Sequence, residues 1–252
     1  MISDAADLAK FLAEAAREGG DLEKWAADEG RGLCNRAACE AAEAGALAGI
    51  ANRPPPGLVI RKFGSRSLVG SVSLPESPGD VMLKYYYPAV LPRRIAYTLT
   101  GSRCRQSWVA GLAFLQLGIP APAPLAMAEW KAGGVLISKS FLATRRVGGV
   151  GLDEFVSAHR EDEARLKQTA ISLAEAFSRM ARYRIAHGDL KAGNILAGDD
   201  GTIFFADLDA VTFLAPSAVW KARRRKDREK FADNWRKFPA AAEIFRKALS
   251  EE

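Results

Sequence analysis

His187-Gly188-Asp189-Leu190-Lys191-Ala192-Gly193-Asn194, followed by Asp207-Leu208-Asp209, is the stretch that decides how this chain is read. It supplies an acid, a lysine two residues later, an amide five residues later, and a second acid thirteen residues past Asn194. Apolar runs precede both halves: Ile185-Ala186 before the first, and Ile203-Phe204-Phe205-Ala206 before the second. Such runs read as short buried elements that hold the polar groups in fixed positions. Asp199-Asp200-Gly201, between Ile195-Leu196 and Ile203-Phe204, is a hairpin turn signal. A lone H-G-D or D-L-D is common on protein surfaces. The ordered set of loop, hairpin and acid is not.

The spacing matches the catalytic loop H-R-D-L-x-x-x-N of kinase-like folds, with its D-F-G aspartate following downstream. Phosphoryl transfer asks little covalent chemistry of a protein; it asks for positioning and for neutralisation of phosphate charge. In that scheme Asp189 takes or orients the proton of the attacking hydroxyl, and Lys191 reaches the transferring phosphoryl group as a point charge. Asn194 and Asp207 offer oxygen atoms to Mg2+, a hard cation that bridges protein and phosphate. Lys84, in Val81-Met82-Leu83-Lys84, is the analogue of the strand lysine that pairs with the phosphates of ATP. Lys62 is a weaker competitor for that role.

Two features depart from the common pattern. There is no G-x-G-x-x-G; Gly64-Ser65-Arg66-Ser67-Leu68-Val69-Gly70 is the one turn available to cover phosphates, through Ser65, Ser67 and backbone amides. From Val81 to Ala128 there is no Asp or Glu, so the helical glutamate that normally pairs with the strand lysine has no candidate. Gln106, packing or the nucleotide itself must then orient Lys84.

The expected fold is α+β: a two-lobed protein-kinase-like fold with a small antiparallel-sheet N-lobe and a mainly helical C-lobe. Residues 1–57 read as an Ala-rich helical extension, 58–141 as the N-lobe and 142–252 as the C-lobe carrying the catalytic loop. In the extension, Ser3 is a candidate cap for a helix presenting Leu8, Phe11, Leu12 and Ala15, which Gly19-Gly20 stops, and a second helix carries Leu22 and Trp25. Strands are expected at 58–60, 68–72, 80–85 and 135–138, the last before a hinge at 138–144. Helices are expected at 103–117 and along Leu166, Ala170, Leu173, Phe177 and Met180. Val109 to Ala128 is uncharged for twenty residues, but Pro120, Pro122 and Pro124 favour a helix, a turn and a strand over a membrane span.

The net charge of +6 fits an anionic partner without choosing which. Three cysteines and two histidines make a zinc site improbable and fit a reducing compartment. Early acids at the N-terminus are unlike a signal peptide. Lys221 to Lys230 carries seven basic residues in ten: either a solvated helix face or a contact for an anionic acceptor or lipid headgroups. Asp227, within it, could instead anchor the catalytic loop by hydrogen bonds. His159 reads as a surface residue.

Taken together, His187 to Leu196, Ala206-Asp207-Leu208-Asp209, Gly101-Ser102-Arg103 to Ser107-Trp108, Leu117 to Pro122 and the Arg-rich stretch ending Asn234-Trp235 resemble the bacterial lipopolysaccharide kinase family (Kdo/WaaP, InaA-like). The resemblance covers about 58–238. It implies ATP-dependent phosphorylation of a hydroxyl on an inner-core sugar of lipopolysaccharide, at the cytoplasmic face of the inner membrane. It carries Asp189 over as base, Asn194 and Asp207 as metal ligands and Lys84 as the nucleotide lysine. The partners it implies are ATP, Mg2+, an anionic glycolipid or sugar acceptor, and peripheral contact with an anionic membrane surface; no nucleic acid is expected. Two alternatives stay open: a pseudokinase or membrane-associated binding module, and a kinase-like phosphotransferase acting on a protein or another small molecule.

Overall fold

The structure, a computed structural model, describes residues 2–16, 22–27, 30–88 and 90–250. They fall into two compact units: a sheet unit, Lys10–Leu112 with Pro122–Arg146, and a helical unit, Met1–Ala9, Ala113–Ala121 and Val147–Glu252.

The sheet unit is built on seven antiparallel strands in the order β1-β2-β6-β7-β5-β4-β3. They are β1 (Leu22–Ala27), β2 (Gly30–Asn35), β3 (Val59–Gly64), β4 (Ser67–Val72), β5 (Val81–Tyr86), β6 (Pro124–Ala132) and β7 (Leu136–Arg145). Side chains alternate faces along a strand, and β5 uses both. Val81, Leu83 and Tyr85 join Phe141, Leu125 and, from α2 (Ala41–Ala51), Leu47 and Ala51 in one core. Tyr86 packs on the other face with Met127, Leu142 and, from α4 (Arg103–Gln116), Cys104, Trp108 and Leu112. Phe11 and Ala15 of α1 (Ala5–Ala15) complete that second core. A further helix, α3 (Leu91–Thr100), lies against β7.

Residues 1–57 are therefore no separate helical extension. Leu22 and Trp25 lie on a strand, not a helix, and β2 pairs with β6 through Arg31↔Glu129 to Cys34↔Ala126. Gly32 makes this approach possible, since a Cβ there would stand 1.7 Å from the Met127 carbonyl oxygen. Trp25 Nε1 donates to that same oxygen at 2.8 Å. Helix α2 is tied in by a bidentate pair between the half-buried Arg145 and the buried Glu43, at 2.8 and 3.0 Å. Asp4 rather than Ser3 caps α1, accepting from the backbone N–H groups of Ala6 and Asp7. The stop expected at Gly19-Gly20 lies outside the described residues. The expected hinge at 138–144 lies inside β7, and the units divide after Arg146 instead.

In the helical unit the 3.6-residue pattern is realised as α6 (Glu163–Arg182), capped by Asp162 and burying Leu166, Ala170, Leu173 and Met180. Helices α5 (Leu152–Ala158), α7 (Ser217–Asp233) and α8 (Pro239–Ser250) complete the unit's helices. Phe177, Phe231, Trp235 and Phe245 form a connected aromatic cluster, with ring centroids 4.8–5.8 Å apart. A three-stranded sheet in the order β10-β9-β8 carries the candidate site: β8 (Val150–Gly151), β9 (Ile195–Ala197) and β10 (Ile203–Phe205). Among the described residues no helix is long and apolar enough to cross a membrane.

Candidate active site

The loop from His187 to Asn194 is held by contacts on both its flanks. Arg184 takes a left-handed conformation (φ 48°) just after α6, and Ala186 then pairs with Thr212 in an isolated bridge. His187 is fully buried, and its Nε2 lies 3.2 Å from the Ala206 carbonyl oxygen. Burial pushes the imidazole below its ordinary pKa, against the pull of Asp227, the Ala206 carbonyl, Asp207 and Asp189. The ring is thus neutral at pH 7, with its proton on Nε2 to make that bond. It ties the loop to the segment that presents Asp207.

Gly188 follows with φ +83°, and a Cβ there would stand 2.5 Å from the Ala210 carbonyl oxygen. Only glycine meets both conditions without strain. Its N–H points at both carboxylate oxygens of Asp227 (3.1 Å each), and Asp227 is buried on α7. The anchoring role read for Asp227 is therefore observed.

Asp189 is the meeting point. Its Oδ1 accepts from Lys230 Nζ at 2.9 Å, and its Oδ2 lies 3.2 Å from Lys191 Nζ and 3.1 Å from Asn194 Nδ2. Asn194 Nδ2 also donates to the Asp189 carbonyl at 2.9 Å. Partial burial pushes the Asp189 carboxyl up, but hydrogen bonds and charge from Lys230 and Lys191 outweigh it and bring the pKa down to about 2. The group is an anion throughout the physiological range.

Asn194 closes a 3₁₀ turn (Ala192–Asn194) and leads into β9. After the hairpin, Ala206 N–H donates to the Asn194 carbonyl at 2.8 Å, and Asp207 follows in a left-handed conformation (φ 56°). Backbone contacts thus bring Asp189, Lys191, Asn194 and the Asp207 segment together. The amide nitrogen of Asn194 is committed to Asp189, so its oxygen is the atom it could offer to a hard cation. Among the described residues no three His, Cys, Asp or Glu side chains group as a metal cage. Mg2+ needs none, because it takes one or two protein oxygens and completes its shell with phosphate and water.

Lys84, Ser65 and Ser67 belong to the sheet unit. Lys84 sits on β5 between Val69 and Leu142, with its Nζ 4.9 Å from the Tyr86 ring centroid. Ser65 is in the tight turn between β3 and β4, and Ser67 opens β4 opposite Tyr86. That turn is a hairpin, not an extended glycine flap. The acid absent from 81–128 comes one residue later. Glu129, on β6, accepts from Ser102 Oγ at 2.5 Å and from Arg105 at 2.6 Å. Helix α4 therefore presents a cation to an acid on the sheet, the reverse of the expected strand-lysine and helix-glutamate pair.

Sequence reading missed Lys230. The signal was its spacing from Asp227: three residues apart on a helix, the two share one face. One holds Gly188 and the other Asp189. Several other cations of that stretch also have local partners, Arg225 with Glu229 and Arg228 with the Leu249 carbonyl.

Among solved structures, the chain resembles that described as "WaaP in complex with acyl carrier protein", at a TM-score of 0.56 and 17% identity over 77% of this chain and 78% of that one. At that identity the likeness shows the fold, which is kinase-like and two-lobed. No curated protein matches the chain. The model of the family described as "Lipopolysaccharide kinase (Kdo/WaaP) family" matches residues 87–229, more than half the chain and the whole catalytic loop. With that match and the loop geometry together, the chain belongs to the lipopolysaccharide kinase (Kdo/WaaP) family, whose members are phosphotransferases with hydroxyl acceptors.

Proposed function

We propose that this chain transfers the γ-phosphate of ATP to a hydroxyl of an inner-core sugar of lipopolysaccharide. The observation that carries the reading is Asp189, an anion held by Lys191 and Asn194 of its own loop and by Lys230 of α7. A carboxylate with a pKa near 2 is a weak base in the ground state. Its work is to orient the acceptor hydroxyl and to take the proton late, as a loose phosphoryl-transfer transition state allows. Lys191, beside it, neutralises the transferring group.

Asn194 and Asp207 are the residues to hold Mg2+, which when bound neutralises charge on the phosphate oxygens. Lys84 pairs with the nucleotide phosphates, and Ser65 and Ser67 contact them from the β3–β4 turn. The site works at the cytoplasmic face of the inner membrane, where the acceptor is anchored.

A second partner has its own support. WaaP has been solved with acyl carrier protein. The helical unit here contains an apolar cavity of about 400 Å³ lined by Phe177, Met180, Leu190, Phe231 and Phe245, with Arg224 and Arg228 beside it. Apolar walls and nearby cations suit an acyl chain carried on an anionic arm.

Mass spectrometry of lipopolysaccharide from cells with and without the gene tests the main reading. One phosphate on a core sugar is expected to disappear, and the Asp189→Ala gene should fail to restore it. An unchanged glycolipid would reject the acceptor. Full restoration by Asp189→Ala would reject the assigned base.

A further inference from the structure

Helix α3 is amphipathic the wrong way round. Arg93, Arg94, Tyr97 and Thr98 are half-buried toward the protein, while Leu91, Ile95 and Leu99 are 57%, 44% and 80% exposed. No residue of the helix is buried. The polar face is bonded to the sheet unit: Thr98 Oγ1 accepts from Ile137 N–H at 3.1 Å, and Arg94 Nε donates to the Pro88 carbonyl at 3.0 Å. Leu91, Ile95 and Leu99 are spaced four residues apart, so they form one continuous strip along the outward side. Val90, just before the helix, is also half exposed at 51%. An ordinary surface helix turns such a strip to the core. This one is docked by hydrogen bonds on its polar side and presents its apolar side outward.

The charge around the strip selects what covers it. On a helical projection Arg94 lies beside the Leu91 edge of the strip and Arg93 on the opposite side of the helix, and no acidic residue occurs from Val81 to Ala128. An apolar strip on a segment whose only charges are positive suits a helix lying in a lipid interface, with apolar side chains among the acyl chains. Anionic headgroups are the complementary surface. We infer that α3 is a membrane-docking helix that lies in the plane of an anionic bilayer through Leu91, Ile95 and Leu99. This deepens the glycolipid reading, on which it rests for the purpose of the contact, by naming the surface that brings the enzyme to a membrane-anchored acceptor.

Flotation of the full chain with vesicles of phosphatidylcholine, alone or mixed with phosphatidylglycerol, tests it without lipopolysaccharide or ATP. Failure of this contact is thus read separately from failure of the kinase assignment. The wild type is expected to float with the anionic vesicles, less so as salt rises. Leu91→Ser/Ile95→Ser/Leu99→Ser should weaken partitioning by about a hundredfold, from three lost side-chain burials. Because all three side chains are exposed, the variant should keep the wild-type melting temperature and oligomeric state. Undiminished flotation of the folded variant would overturn the proposal. So would a wild type that ignores both vesicles, including one that forms a dimer the triple variant converts to a monomer, since the strip would then be a self-interface.

Discussion

Asp227 offers a severe check on how the catalytic loop is held, because it touches no reacting atom. Its buried carboxylate accepts the Gly188 N–H through both oxygens at 3.1 Å, one residue before Asp189. In Asp227→Ala that N–H loses its acceptor within a part-buried turn, at a cost of about 1–3 kcal/mol. At roughly 2–4 °C per kcal/mol for a chain of this size, the melting temperature should fall by about 2–12 °C. The loop then shifts, and an error near 1 Å at Asp189 should lower turnover by ten- to a hundredfold. Asp227→Asn retains a carbonyl oxygen for the same N–H and loses only the charge assistance. It should cost about 1 kcal/mol and keep turnover within a few-fold. Differential scanning fluorimetry and ATP-dependent phosphate transfer measure the two effects. A variant Asp227→Ala that melts lower but turns over normally would refute the argument that this contact positions Asp189.

Lys230→Met should raise the Asp189 pKa from about 2. A depressed carboxyl pKa stabilises the fold above its unfolded value near ~3.9, and that contribution is lost as pH falls toward ~2. Both partners are partly exposed, so the variant should lose only ~0.5–1 kcal/mol at pH 7, a deficit that fades between pH 4 and 2; urea titrations showing a constant deficit would contradict this. Gly188→Ala meets a positive φ and the Ala210 carbonyl together, and should lose both stability and turnover; a wild-type melting curve would show that the loop relaxes freely. Glu43→Ala removes the bidentate partner of the half-buried Arg145, which keeps Ser77 and the Ala38 carbonyl, and should destabilise by ~1.5–3 kcal/mol in urea unfolding; an unchanged midpoint would show the pair contributes nothing. A chain beginning at Leu58 loses α1, β1, β2 and α2 and should express insolubly; a soluble, active fragment would show that these elements are dispensable.

The lower part of this architecture was readable because its chemistry is local. The loop, the hairpin at Asp199-Asp200-Gly201 and the α6 periodicity each fit within a short window, so residue order alone placed Asp189, Asn194 and Asp207 on one frame. What failed depended on distant pairing. Leu22 and Trp25 read as helical because Ala-rich flanks dominate the local signal, whereas β1 exists only because β2 finds β6 about a hundred residues later. Helix α3 was missed for a related reason: its outward apolar strip and inward arginines invert the pattern by which a surface helix is recognised. Lys230 and Glu129 were hidden by partners that only the fold supplies.

The β2–β6 pairing also sets a timetable. Residues joined by Trp25 and Met127 are separated by 102 positions in the chain. At about 5–20 residues per second, synthesis leaves the first two strands without their neighbour for roughly 5–20 s. During that interval β2 has an open edge and Leu33 lacks its core. A hydrogen-bonding template thus waits for a partner not yet made, and a holding chaperone should find its first target in the open β2 edge.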